Sequence, residues 1–146
     1  MKILSLLPPE EIMVPGGKIS PVAICGHFEG ETADPDTFMI NPVFLDFLHE
    51  TIRTKGPALH SLIQAAGGQH TGYLYIIDFR TPEGIMGNVP AEDIIGSFKV
   101  ADGKLVADGY AANPSYKVFT KNGVTRLPPG LDKVFLDELR KRNITG

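Results

Sequence analysis

The chain has one cysteine and no tryptophan in 146 residues, and only 21% of it is charged. With a single Cys25 there is no intramolecular partner, so a disulfide scaffold is excluded. No window approaches the roughly 18 consecutive apolar residues that a membrane-spanning helix needs. No short period runs through the chain, which excludes collagen and coiled coil. Neither an internal repeat nor a dividing linker is visible, so residues 1–146 read as a single domain. The start, Met1-Lys2-Ile3-Leu4-Ser5-Leu6-Leu7, imitates a signal peptide, but its apolar stretch stops at Pro8, short of the roughly 7–15 residues of a true apolar core. The expected setting is a reducing cytoplasm, with no membrane partner.

A basic excess is also missing. Lys and Arg number 14 against 17 Asp and Glu, a formal charge of −3, which argues against nucleic-acid binding as the main task. The charge is uneven, however: residues 1–112 hold 7 basic and 14 acidic side chains, residues 113–146 hold 7 and 3. The basic end reads as a solvated C-terminal helix with Lys and Arg at its dipole-favoured terminus, the alternative being an acidic partner. Glycine (16) and proline (12) together make about a fifth of the chain, enough for many turns between short strands and too little for low complexity.

The patterned segments begin at Asn41-Pro42, where Asn can cap free N–H groups and Pro suits the first helical position. Phe44, Phe47, Leu48 and Ile52 then make one apolar stripe, with Gly56 as the expected C-cap. A second helix is expected from Pro57, carrying Leu59, Leu62, Ile63 and Ala66 on one face and closed by Gly67-Gly68. Strand texture follows in 73–78, 95–100 and 104–110, with a hairpin turn at Ala101-Asp102-Gly103, then a second hairpin around Asn122-Gly123. Pro90-Ala91-Glu92-Asp93 resembles the first turn of a short helix, and 79–89 a long loop. A last helix carries Leu131, Val134, Phe135 and Leu139. The N-terminal third offers a turn at Pro15-Gly16-Gly17 and a strand over 22–28 that Pro21 and Gly26 would confine to an edge or a bulged strand. Helices and strands are segregated, so the expected fold is α+β: an antiparallel sheet of about five strands, a helical hairpin before it and a C-terminal helix.

Few residues suggest chemistry. Along an extended strand Cys25, His27 and Glu29 would share a face, which allows part of a metal site or a thiol with a nearby base; a buried Cys beside a surface His is the plainer alternative. His49, His60 and His70 lack zincin spacing, although a helical hairpin could bring His49 and His60 together. Gly67-Gly68-Gln69-His70-Thr71-Gly72 precedes a strand, the reverse of a phosphate loop, and Ser5, Ser20, Ser61, Ser97 and Ser115 lack a nucleophile elbow. Asp78, Arg80, Glu83, Glu92 and Asp93 cluster around one loop. Of these, Asp78, Arg80, Glu92 and Asp93 are the candidate ligand-binding residues, against the alternative of a local ion pair and acids serving a helix start. Tyr73, Tyr75, Tyr110 and Tyr116 could wall a site or pack within a sheet.

The runs Gly72-Tyr73-Leu74-Tyr75-Ile76-Ile77-Asp78 and Val89-Pro90-Ala91-Glu92-Asp93-Ile94-Ile95-Gly96-Ser97-Phe98, with Asn113-Pro114, resemble a group of short uncharacterised bacterial proteins over the last half of the chain. The resemblance implies bacterial origin and no activity. The expectation is a non-catalytic binding or interaction protein without a cofactor, partnered by itself as a homodimer or by another protein through exposed strand edges such as 22–28. The alternative is a small enzyme, with or without a metal ion, using Cys25 and His27 with the 78–93 loop.

Overall fold

The computed structural model describes residues 2–7, 21–31, 34–80 and 89–145. Strands β1 (Lys2–Leu4), β2 (Gly26–Phe28) and β3 (Met39–Ile40) form one antiparallel sheet in that order. Helices α1 (Pro42–Lys55) and α2 (His60–Gln69) follow. A second antiparallel sheet contains β4 (Gly72–Ile77), β5 (Ile94–Ala101) and β6 (Lys104–Ala112), again in chain order. A ribbon of β7 (Phe119–Thr120) and β8 (Gly123–Val124) leads to α3 (Leu131–Thr145). The fold is α+β. Five strands do follow the helical hairpin, but they split into a sheet and a ribbon, and the N-terminal third adds a sheet of its own. The Pro15-Gly16-Gly17 turn and most of the 79–89 loop lie outside the described residues.

Local chemistry explains most boundaries. Asn41 caps α1 by accepting from the Val43 N–H at 3.2 Å, with Pro42 in the first turn. The β5–β6 turn is made by Asp102 (φ 53) and Gly103 (φ 73), both left-handed as a tight hairpin requires. The buried stripe of α1, Phe44, Leu48 and Ile52, meets Leu131, Phe135 and Leu139 of α3 in one core, where the Phe44 and Phe135 rings pack edge-on at 5.6 Å. Phe98, Ile95 and Ile76 from the second sheet join the same core.

Three expectations are revised. The 22–28 segment is not an edge: Pro21 belongs to a 3-10 turn (Pro21–Ala23), and β2 is the middle strand of its sheet. Helix α2 runs through Gly67 and Gly68 and stops at His70, whose positive φ of 69° ends it while its N–H still reaches the Ala66 carbonyl at 3.1 Å. Ile63, placed on the apolar face by spacing, is half exposed because α2 contributes only Ala66 to the fully buried set.

Gly56 takes the C-cap position of α1 that the sequence gives it, but in another conformation. It is not a left-handed cap, since its φ of −55° and ψ of −46° are helical. A Cβ there would lie 2.8 Å from the ring of the fully buried Phe98. Helix propensity alone makes Gly56→Ala stabilising by about 1 kcal/mol. The packing makes it destabilising, by about 1–3 kcal/mol. Urea unfolding of the variant decides between the two, with a lower midpoint expected.

Candidate functional site

The Asp78 and Arg80 pair lies where β4 ends, and Asp93 closes a 3-10 turn (Ala91–Asp93) that leads into β5. All three are buried: Asp78 and Asp93 are 0% exposed and Arg80 9%. Their partners come mainly from the chain between β6 and α3. Arg80 Nε donates to Asp93 Oδ1 at 2.9 Å. One terminal nitrogen donates to the carbonyls of Val118 (3.0 Å) and Gly123 (3.2 Å), the other to those of Lys117 (2.5 Å) and Glu92 (3.2 Å). A guanidinium has five N–H donors in a fixed fork, so these acceptors use its whole capacity. The ion pair read from sequence spacing, Arg80 with Asp78, is present at 3.7 Å, but the closer carboxylate is Asp93 at 2.9 Å.

Asp78 is equally engaged. It accepts from the backbone N–H of Arg80 (3.0 Å) and of Arg126 (3.0 and 3.1 Å), from Thr125 Oγ1 (2.7 Å) and from the Tyr116 hydroxyl (3.1 Å). The Tyr116 and Thr125 hydroxyls also touch each other, and the Arg80 guanidinium lies 5.6 Å from the Tyr116 ring centre. Burial pushes the Tyr116 phenol pKa up, and the neighbouring Asp78 charge adds to the effect, so Tyr116 stays a neutral donor. Glu92 takes part through its carbonyl, which accepts from Arg80 and from the Lys117 N–H (3.1 Å). No buried side-chain nitrogen or oxygen lacks a partner among the described residues. A polar ligand here would have to break internal bonds to make its own, each exposing a desolvated group at about 1–3 kcal/mol. The arrangement holds the chain together; its reactive groups are spent on one another.

The other candidates lie apart from this network. Cys25 is completely buried in the core, and burial pushes its thiol pKa up to about 12, far from the thiolate that nucleophilic or metal chemistry needs. His27 is half-buried in a cross-strand row with Ile3 and Met39, which are 51% and 59% exposed. Among the described residues no group of three or more His, Cys, Asp or Glu is arranged to hold a metal ion. His49 turns to β6 and bonds the Tyr110 hydroxyl at 2.7 Å, while His60 and His70 are exposed. Tyr116 is buried and Tyr110 is partly buried against the core; Tyr73 and Tyr75 face solvent at 57% and 58%. Tyr75 walls a shallow groove of about 310 Å³ floored by Gly96, Ser97 and Ala111 and closed by Asn113 and Pro114. On α3, Arg140 pairs with Asp137, Lys141 with Glu138, and Arg142 lies over the Phe47 ring at 5.5 Å, so this basic run is interleaved with acids and an aromatic.

Sequence reasoning missed Tyr116, Thr125 and the carbonyls that complete the network. Carbonyl positions leave no mark on residue types, but Thr125 and Tyr116 on short strand-like runs across from Asp78 were available as polar groups needing a buried partner. No protein-family model, curated protein or solved structure matches the chain. No described helix is long and apolar enough to cross a membrane.

Two outcomes follow from this geometry. Arg80→Ala or Asp93→Ala leaves a buried charge without its partner, so each should cost about 3–5 kcal/mol, read as a large drop in the urea midpoint. Burial holds the His49 pKa below its ordinary 6.5, with Asp46 opposing weakly. A depressed folded pKa means that stability is intact above pH 6.5 and is lost as pH falls through the folded value. The unfolding free energy should therefore decline below pH 6.5, and His49→Gln should flatten that decline.

Proposed function

We propose that the protein is a non-catalytic binding module that works through the solvent faces of its two three-stranded sheets, in a bacterial cytoplasm. One observation carries this reading: Cys25 and the Asp78–Arg80–Asp93 cluster are buried, while large apolar and aromatic side chains stand outside. Tyr73 and Tyr75 on β4, and Ile3 and Met39 on β1 and β3, are each more than half exposed. Tyrosine is a common interface residue because its rigid ring gives large contact area at little entropic cost while the hydroxyl stays wet. β4 also has no strand on its outer side among the described residues, and its run Gly72-Tyr73-Leu74-Tyr75-Ile76-Ile77 carries none of the charges or prolines that blunt free edges. The partner is another protein or a second copy of this chain, and the single buried Cys25 suits a reducing compartment.

The test is cross-linking in cells that make the protein, comparing wild type with Tyr73→Ser/Tyr75→Ser and with Ile3→Ser/Met39→Ser. These exposed substitutions should leave the thermal midpoint within a few degrees of wild type. Wild type should give discrete cross-linked complexes that one of the double variants loses. Complexes that survive in both variants, or no complex from wild type, would refute the reading.

A further inference from the structure

The two three-stranded sheets are built alike. Both run in chain order with antiparallel neighbours. The row Leu4–Gly26–Ile40 in the first corresponds to Ile76–Gly96–Ala112 in the second, and Ile3–His27–Met39 to Tyr75–Ser97–Ala111. The central strands share a motif, Ile24-Cys25-Gly26-His27-Phe28 and Ile94-Ile95-Gly96-Ser97-Phe98. Each glycine is required for the same reason. A Cβ on Gly26 would strike the Phe38 ring and the Met39 carbonyl; one on Gly96 would strike the Tyr110 ring and the Ala111 carbonyl. Phe38 and Tyr110 both stand three residues before an Asn-Pro pair.

Those two asparagines make the same bonds. The Asn41 amide donates to the carbonyls of Pro21 and Ile24, both at 2.9 Å, and its backbone N–H to that of Cys25 at 2.9 Å. The Asn113 amide donates to Ala91 and Ile94 at 2.9 and 2.8 Å, and its N–H to Ile95 at 3.0 Å. Each asparagine thus staples the 3-10 turn that precedes its own central strand. The helices agree as well: Val43-Phe44-Leu45-Asp46-Phe47-Leu48 in α1, Val134-Phe135-Leu136-Asp137-Glu138-Leu139 in α3. Phe44, Leu48, Phe135 and Leu139 are all completely buried, and Phe44 packs on Phe135 itself. In a two-fold pair, residues near the axis touch their own equivalents.

We infer that the chain is an internal duplication of one β-β-β-α unit, in which the two copies pack helix on helix as a homodimer would, so that self-association is met within one chain. Unequal insertions between the copies would leave no fixed period for the sequence to show. The second copy carries an insertion between Pro114 and α3 that holds β7 and β8. Asp78 and Asp93 stand where the first copy has Leu6 and Ala23. The side chains and carbonyls that Asp78 and Arg80 engage at Tyr116, Lys117, Val118, Gly123 and Thr125 all belong to that insertion. The buried network is the fastening of the insertion, and the copy without an insertion has apolar residues in its place. The solvent-side rows Ile3–His27–Met39 and Tyr75–Ser97–Ala111 are one position in two versions, which narrows the partner in the binding reading to another protein.

The duplication itself stands on the fold and not on that reading, and its test needs no partner. Exchanging the central-strand residues in the full chain (Cys25→Ile, His27→Ser, Ile95→Cys and Ser97→His together) moves each side chain to its equivalent site. The exchanged chain should unfold cooperatively at a midpoint within a few degrees of wild type. Asn41→Ala and Asn113→Ala, made separately, should raise the unfolding constant by comparable factors, on the order of 10- to 100-fold. Sedimentation of wild type should give the 15.8 kDa monomer. Loss of cooperative unfolding on exchange overturns the inference. So does a gap of more than about 100-fold between the two asparagine variants, or a dimer mass for wild type.

Discussion

Arg80 constrains the second half of this molecule more than any other side chain. Its donors meet one carboxylate and four carbonyls, and three of those carbonyls lie on the chain that turns through β7 and β8. A ribbon of two strands, each two residues long, cannot hold itself in water. Tertiary anchors are what fix it, and here the anchor is polar. Burying such a cluster costs heavily in desolvation, and the cost is met only because each donor finds an acceptor and both carboxylates lie against the guanidinium. A ligand binding here would have to displace one of these internal bonds. Stability and reactivity compete for the same hydrogens, and in this network stability has taken them.

Duplication places that network in context. In the first copy the positions of Asp78 and Asp93 are Leu6 and Ala23, both within or beside the apolar core. Nothing polar is needed there because Asn41-Pro42 runs directly into α1. In the second copy the chain leaves Asn113-Pro114, makes the extra ribbon, and returns to the helix only at Leu131. The shared framework of 3-10 turn, glycine-centred strand, Asn-Pro staple and Val-Phe-Leu-Asp helix is kept in both. The divergence includes what the insertion demands, what faces solvent, and single core positions such as Cys25 against Ile95.

The parts legible in the sequence were those with local causes. Asn41 with Pro42, the Asp102-Gly103 turn and the α3 stripe of Leu131, Phe135 and Leu139 each act within a few residues, and each is found where spacing puts it. The candidate loop was legible as a cluster of charges, but its role was not, because the partners of Asp78 and Arg80 outside the loop lie 37 to 48 residues away, at Tyr116, Lys117, Val118, Gly123, Thr125 and Arg126, and four of these contribute backbone atoms. The C-cap position of Gly56 was legible but the need for glycine there was not, because its cause is a Phe98 ring from another element. The repeat was spelled out in three short motifs, yet a search for one constant spacing passes over copies that carry different insertions.

What faces solvent has changed most between the copies, and the change has a direction. In the first sheet the outward row is Ile3, His27 and Met39 on strands of two or three residues. In the second it is Tyr75, Ser97 and Ala111 on strands of six, eight and nine. Replacing the imidazole and the thioether by a hydroxymethyl and a methyl lowers the floor beside Tyr75, and that floor is the groove bounded by Asn113 and Pro114. Longer strands extend it, and Tyr73 adds a second ring along the same strand face. Two copies of one framework therefore present a small apolar platform and a longer aromatic one. Shape, exposed rings and, among the described residues, an unpaired outer strand coincide only on the second sheet.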